Sequence, residues 1–297
     1  MNKVYLSDAG PKVSQAIYGF WRWQPIDSTK DYEQLEQTIL YCLNKGINTF
    51  DHADIYGGYS IEEAFGSIIK KNNISRQDIV LFTKCGFNVP HSSRPQYRLE
   101  HHNSSAKHIE TSVNQSLSHL KTDYIDVLFL NGLDPVSNLE ETALTIDGLR
   151  QSGKIKNVGI VNFSVFQHQL LASYLKSPIV TNHLDLSLLN TSALDNGQID
   201  FSKQRYMSPL AASPLENGRI ENGTDPKAVA IRGKLQELSE KYNTNIESLA
   251  VAWLVKIGAF PVIGTQSESR INNIVDAFSV DLDIQDWYDL YNTSKTN

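Results

Sequence analysis

A chain of 297 residues is long enough for one large α/β barrel or for two mid-sized domains. With 40% hydrophobic and 20% charged residues it can bury a sizeable core, which excludes wholesale disorder. A formal net charge of −6 without any Lys or Arg run argues against nucleic acid or an anionic membrane as the main partner, while leaving room for one local phosphate site at a helix start.

The chain carries two cysteines, Cys42 and Cys85, in no metal-like spacing and too few for a disulfide-stapled secreted fold. The opening residues lack the apolar stretch of a signal peptide, and the strongest apolar run, Leu249 to Val255, is too short to span a bilayer. These features predict a soluble, cytoplasmic protein. Nothing in the sequence specifies an oligomeric state.

In chain order, short apolar runs of β type fall at Ala16–Phe20, Ile47–Phe50, Ile79–Phe82, Ile125–Leu130, Ile155–Ile160, Ile179–Thr181, Arg205–Leu210 and Phe260–Ile263. Several are apolar throughout, as strands buried on both faces are. Helical periods lie between them. Leu35, Ile39, Cys42 and Leu43 share a face that Gly46 terminates. Ser60 and Glu63 read as a capping box ahead of an Ile61, Phe65, Ile68, Ile69 stripe. Ile109, Val113, Leu117 and Leu120 mark a third helix, and Asn138 with Glu141 opens a fourth carrying Ala143, Ile146 and Leu149. Leu235 and Leu238, then Leu249, Trp253 and Leu254, mark helices nearer the C-terminus.

Eight strands with interleaved helices predict a single (β/α)8 TIM barrel over residues 1–297. A doubly wound open sheet is the rival, but no Gly-x-Gly-x-x-Gly follows an early strand. The barrel count is weakest at 190–208, where no clear helix separates the sixth and seventh strands. Two irregular stretches, 87–103 and 215–227, follow predicted strands and so would overhang the mouth formed by the strands' C-terminal ends.

Three polar groups fall at strand ends: Asp51, Lys84 and Asn131. Tyr56 follows Asp51 by a short turn. A tyrosine beside a partly buried lysine has its phenolate stabilised, so its pKa is expected to fall toward the working pH, with Asp51 keeping the lysine charged. Such a phenol can protonate a carbonyl oxygen while hydride reaches the carbon. From spacing alone, a structural Asp51–Lys84 ion pair with Tyr56 as packing accounts for the same residues.

Asp51, His52 and Asp54, with His91, His101 and His102, could suggest a metal hydrolase, but the ligand spacing for one is missing. Cys85 reads as a buried inert thiol. Trp21, Trp23 and Phe87 would either line a pocket at the mouth or cover the barrel top.

Together these segments resemble the aldo-keto reductases over almost the full chain. The resemblance runs through Gly19-Phe-Trp-Arg22, Asn48-Thr-Phe-Asp-His-Ala-Asp-Ile-Tyr-Gly57 and Leu81-Phe-Thr-Lys-Cys-Gly86. It continues through Asp123–Leu130, Gly153–Ser164, Ala212-Ser-Pro-Leu215 and Pro261-Val-Ile-Gly-Thr265 with Arg270. It is closest to a bacterial branch whose fourth strand ends in His-x-x-Asp-Pro, here Asn131-Gly-Leu-Asp134-Pro135.

The resemblance implies NADPH as cofactor and a small aldehyde or ketone as substrate. By position, Tyr56 would be the acid, tuned by Lys84 and Asp51, with Asn131 in the fourth catalytic place. Asn162 would bond the nicotinamide amide, with Val161 and His183 beside it, and Gly19 and Phe20 would lie near the cofactor. Ser213 and Leu215 would hold the pyrophosphate by their backbone, and Gly264, Thr265 and Arg270 the adenosine phosphate end.

Five positions depart from the family pattern. Asn131 replaces histidine, keeping a donor but losing a titratable group. Val161 replaces serine, His183 replaces glutamine, Ala212 replaces a stacking aromatic ring, and Ser267 stands where a basic residue is common. Each lost neutral hydrogen bond removes on the order of 1 kcal/mol, and the lost ring roughly 0.5–1.5 kcal/mol of stacking. Two readings follow: an enzyme with altered nicotinamide packing, or a reductase-like regulator or scaffold.

Overall fold

The computed structural model describes residues 1–295. Eight parallel strands close a barrel: Ile17–Gly19, Thr49–Asp51, Val80–Cys85, Ile125–Leu130, Ile155–Val161, Ile179–Asp185, Leu210–Ala212 and Phe260–Ile263. The first strand closes the cylinder by pairing Ile17 with Val262 on one side and Gly19 with Asp51 on the other. Every residue of Val80–Cys85 is buried, as the apolar run demands of a strand with a packed interior and an outer helical layer.

An antiparallel hairpin, Lys3–Tyr5 with Lys12–Ser14, covers the N-terminal end. Leu6 and Val13 are fully buried there and join Ile17, Phe82, Val127, Phe129 and Val262 in the barrel interior. The main chain of Ser208 donates to Leu6 O at 2.9 Å, fixing the hairpin beneath the seventh strand. The opposite end, where the strands' C-termini emerge, is left for chemistry.

Several local features follow the sequence closely. Ser28 caps helix Thr29–Asn44 by accepting from the Asp31 amide, and Gly46 follows the helix at φ +78°. Asn138 caps Leu139–Gln151 by accepting from the Glu140 and Glu141 amides. Trp253 and Trp287 stack with centroids 5.1 Å apart, and each indole N–H donates to the other's main-chain carbonyl.

Three expectations are corrected. The stripe Ile61, Phe65, Ile68 and Ile69 is buried in helix Ile61–Lys71, but Ser60 forms no capping box. Ser60 sits in a helical conformation at φ −116°, ψ −19°, and its hydroxyl donates to Gly57 O at 2.7 Å instead. The seventh strand is Leu210–Ala212, not Arg205–Leu210. Residues 198–204 form a helix closed by Arg205, and Tyr206 turns the chain at φ +53°. Finally, the stretch 190–208 does contain helices, Ser192–Asp195 and Gln198–Gln204. They are too short to display a period; Ile199 and Ser202 alone are buried in the second. Among the described residues, no helix is long and apolar enough to cross a membrane.

Candidate active site

Asp51 ends the second strand and Lys84 lies near the end of the third, so strand pairing brings them side by side. The Lys84 ammonium donates to both Asp51 oxygens at 2.5 Å and to His52 O at 3.0 Å. Both side chains are almost fully buried. Gly19, paired with Asp51, packs closely on the eighth strand: a Cβ there would lie 3.0 Å from Val262 Cγ1, while its 3.5 Å from Asp51 Oδ2 would be an ordinary contact.

The segment after Asp51 is stitched to the third strand, with the His52 amide on Phe82 O and the Asp54 amide on Lys84 O. It then turns through Gly57 and Gly58, at φ +55° and +60°, conformations that suit glycine. This turn sets the Tyr56 ring with its centroid 5.1 Å from Lys84 Nζ.

The electrostatics correct one expectation. Burial pushes the Tyr56 phenol above its ordinary value; Lys84 opposes this, and Asp51 adds to it. Enclosure outweighs the single ammonium, whose charge is already matched by Asp51, so the phenol keeps its proton rather than approaching ionisation. Burial also works against the Lys84 charge, but Asp51 and Tyr56 outweigh it and hold the ammonium above its usual range.

Asn131 follows the fourth strand, its amide N–H donating to Cys85 O at 2.8 Å, and among the described residues its side chain has no hydrogen-bond partner. His183 is buried in the barrel with both ring nitrogens unpartnered. Burial, helped by the Lys84 charge, lowers its pKa well below the ordinary value and keeps it neutral. Val161 packs on the barrel-interior core.

Asn162 is exposed, in the left-handed region at φ +55°. Its amide is closed on Asp185, donating to Oδ2 at 3.1 Å and accepting from the Asp185 N–H at 2.9 Å. Phe20 is not placed to touch a ligand by its ring. It is fully buried and stacks on His52 at 4.2 Å, with Phe65 edge-on. Trp23 is likewise buried, donating to the Tyr18 hydroxyl, whereas Trp21 remains partly exposed.

Beside the mouth lies a groove of about 410 Å³. It gathers Ser213 and Leu215 from the end of the seventh strand with Gly264, Thr265 and Arg270 beyond the eighth, residues that the family resemblance assigns to one dinucleotide. Gly264 is needed for the fit, since a Cβ would approach Trp21 Nε1 to 3.0 Å. Arg270 is engaged: its Nε donates to Glu247 at 2.5 Å, and Glu221 lies 3.8 Å away.

Two wall residues were not assigned from the sequence. Arg22 crosses the groove to Asn217 Oδ1 at 2.6 Å, its guanidinium resting over Trp21. The Gly19-Phe-Trp-Arg22 stretch directly after a strand was the available signal for Arg22; Asn217, on the far loop, had none.

The barrel therefore carries a protonated phenol beside a buried ion pair and, separately lined, a groove with two guanidinium groups. The Aldo/keto reductase family model matches residues 16–293. A 6-dehydroglucose reductase of Agrobacterium fabrum is 36% identical over 98% of this chain and 97% of its own. Bacillus subtilis oxidoreductase YcsN is 34% identical over 98% and 97% of the two chains. Oxidoreductase YdhF of Escherichia coli is 32% identical over 97% and 96%. In fold, the thermostable aldo-keto reductase Tm1743 superposes with TM-score 0.84 at 20% identity, covering 99% of this chain and 100% of that one. The order of the strands, the ion pair beneath the mouth and these full-length likenesses lead to one assignment: this (β/α)8 barrel is an oxidoreductase and belongs to the aldo/keto reductase family.

Proposed function

We propose that this chain reduces a small aldehyde or ketone with NADPH, with Tyr56 as the proton donor. The observation that carries the reading is the Tyr56 phenol, held protonated beside a lysine whose charge Asp51 secures. When bound, the dinucleotide supplies a hydride for the carbonyl carbon.

The residues present suit that group. Ser213 and Leu215 would hold the pyrophosphate, and Gly264, Thr265, Arg270 and Arg22 the phosphate-bearing adenosine end, where two guanidinium groups line the groove. The unpartnered ring of His183 would take the carboxamide, and Asn162 would join it on release of its amide from Asp185, with Val161 and Gly19 shaping the space around it.

Tyr56 Oη passes its proton to the carbonyl oxygen, and the nearby Lys84 ammonium favours the phenolate left behind. Asp51 fixes that ammonium in place. The Asn131 amide, free of protein partners among the described residues, orients the carbonyl oxygen. It needs no titration to do so, so the exchange of histidine for asparagine leaves the proton donor intact.

The test is Tyr56→Phe. Turnover should fall by about 10²–10⁴-fold, the usual weight of general acid catalysis, while NADPH affinity, read by fluorescence titration, stays within about twofold. Turnover that survives the change removes Tyr56 from the mechanism. Absence of NADPH oxidation by the unaltered protein across a broad aldehyde panel favours the regulator reading.

A further inference from the structure

Directly after Tyr56 the backbone passes through three left-handed residues, Gly57, Gly58 and Tyr59, at φ +55°, +60° and +71°. Glycine enters that region freely, but a residue as bulky as tyrosine stays there only when its surroundings hold it. The Ser60 amide donates to both Tyr56 O and Gly57 O at 3.3 Å, and the Ser60 hydroxyl to Gly57 O at 2.7 Å. Tyr56 and Tyr59 therefore belong to one closed turn, and a shift at Tyr59 reaches Tyr56 through it.

What holds Tyr59 comes from the strand that carries Lys84. Beyond Cys85 that chain runs through Phe87–Asn88, which pairs with His101–His102, and reaches Val89. The Tyr59 hydroxyl donates to Val89 O at 2.9 Å and accepts from the Val89 N–H at 3.2 Å, so one phenol takes both main-chain groups. Burial raises the pKa of this phenol, so it keeps the proton it donates. The Arg94 guanidinium lies 4.8 Å from the centre of the Tyr59 ring, and the His91 ring 5.8 Å from it. His91 also occupies the space beside Gly58, where a Cβ would fall 2.6 Å from its Nε2. On the other side Ile61 closes on Gly57, where a Cβ would meet Ile61 Cγ1 at 2.4 Å. The left-handed turn is thus gripped from both sides, and it lies outside all eight barrel strands.

We propose that Tyr59 is a positioning residue for Tyr56: clamped by Val89 and Arg94, it holds the left-handed turn that keeps the Tyr56 phenol beside Lys84. One stretch of main chain then supplies both the ammonium and the clamp, so the acid and its cation are registered against the same strand. Proton transfer depends steeply on where the donor atom stands. A turn released from the clamp leaves the phenol protonated but displaced. This rests on the reading of Tyr56 as the acid.

The experiment follows NADPH oxidation with 4-nitrobenzaldehyde by the intact protein, Tyr59→Phe and Arg94→Met, in light and in heavy water. Tyr59→Phe keeps the ring and gives up both bonds to Val89. Its kcat should fall about 10- to 100-fold, the weight of a displaced catalytic group, while aldehyde KM and NADPH affinity stay within about twofold. The solvent isotope effect on kcat should rise, because a displaced phenol makes proton transfer the slower step. Arg94→Met spares both hydrogen bonds and should shift kcat the same way by about two- to fivefold. A merely structural role lowers the amount of active protein, which scales the rate but leaves the isotope effect as it was. An unchanged kcat in Tyr59→Phe, or a fall with the isotope effect unaltered, overturns the assignment of Tyr59; Tyr56 keeps its role if Tyr56→Phe still abolishes turnover. Absence of NADPH oxidation by the intact protein with this aldehyde and the rest of the panel overturns the reductase reading and the role of Tyr59 with it.

Discussion

Lys84 Nζ lies 2.5 Å from each oxygen of Asp51, with both side chains almost entirely out of solvent. A pair this enclosed is held by mutual compensation: each charge is tolerable only because the other is there. Asp51→Asn leaves a buried ammonium with a neutral partner and should destabilise the protein by roughly 3–5 kcal/mol. The double variant Asp51→Asn, Lys84→Met removes both charges and should recover at least half of that loss. Urea denaturation of the single and double variants checks both; equal stability of the two would show that the pair is not coupled.

The Arg22–Asn217 hydrogen bond is exposed and adds little to folding, but it spans the groove. Asn217 has φ +57°, so Asn217→Gly removes the amide without imposing backbone strain. The dissociation rate of NADPH should rise about three- to tenfold, with the melting temperature shifted by no more than about 1 °C. Stopped-flow fluorescence measures the rate, and an unchanged rate would mean that the bridge does not retain the ligand.

Behind the ion pair, Glu62 is buried and accepts from the Thr83 hydroxyl at 2.6 Å. Burial raises its pKa to about 7, although hydrogen bonds from Thr83 and Ser116 and the Lys84 charge pull it down. Asp54, next to it, is raised to about 8 by burial and by Glu62. The sign follows directly. Between pH 4 and pH 7 the unfolded chain releases the Glu62 proton while the folded chain retains it, so stability falls as pH rises across that window.

Glu62→Gln keeps an acceptor for Thr83 and removes the ionisation. Its stability relative to the unaltered protein should therefore improve between pH 4 and pH 8, by on the order of 2–3 kcal/mol. Calorimetric melting across this range checks it. A difference that does not vary with pH would mean that Glu62 is ionised in the folded state.

Helices Ile61–Lys71 and Ala106–His119 meet at Gly66, where a Cβ would lie 2.2 Å from His119 O and 2.7 Å from the Leu120 carbonyl carbon. Both obstacles are main chain, so Gly66→Ala must push the helices apart and should cost about 1–3 kcal/mol or more. Gly233, inside helix Pro226–Tyr242, has nothing within 4 Å of the same position. Gly233→Ala should stabilise by about 0.5–1 kcal/mol, because alanine loses less backbone freedom in a helix. Thermal melting of the two variants should give shifts of opposite sign.

The sequence alone determined the alternation of strands and helices, hence the barrel, and the strand-end positions of Asp51, Lys84 and Asn131. Those are local facts: apolar runs such as Val80–Phe82 declare a strand buried on both faces, and caps such as Asn138 mark helix starts within three residues. Where the local signal was thin, as at Gln198–Gln204, the seventh strand was placed too early. The tertiary structure decided what depends on distant chain. It seated Phe20 against His52 and Phe65 instead of at a ligand, closed Asn162 on Asp185, carried Arg22 across to Asn217 and laid His102 on Gly132. It also reversed the expected shift of Tyr56, because the cost of enclosing a phenolate depends on how completely other segments surround it, and no spacing of residues along the chain encodes that.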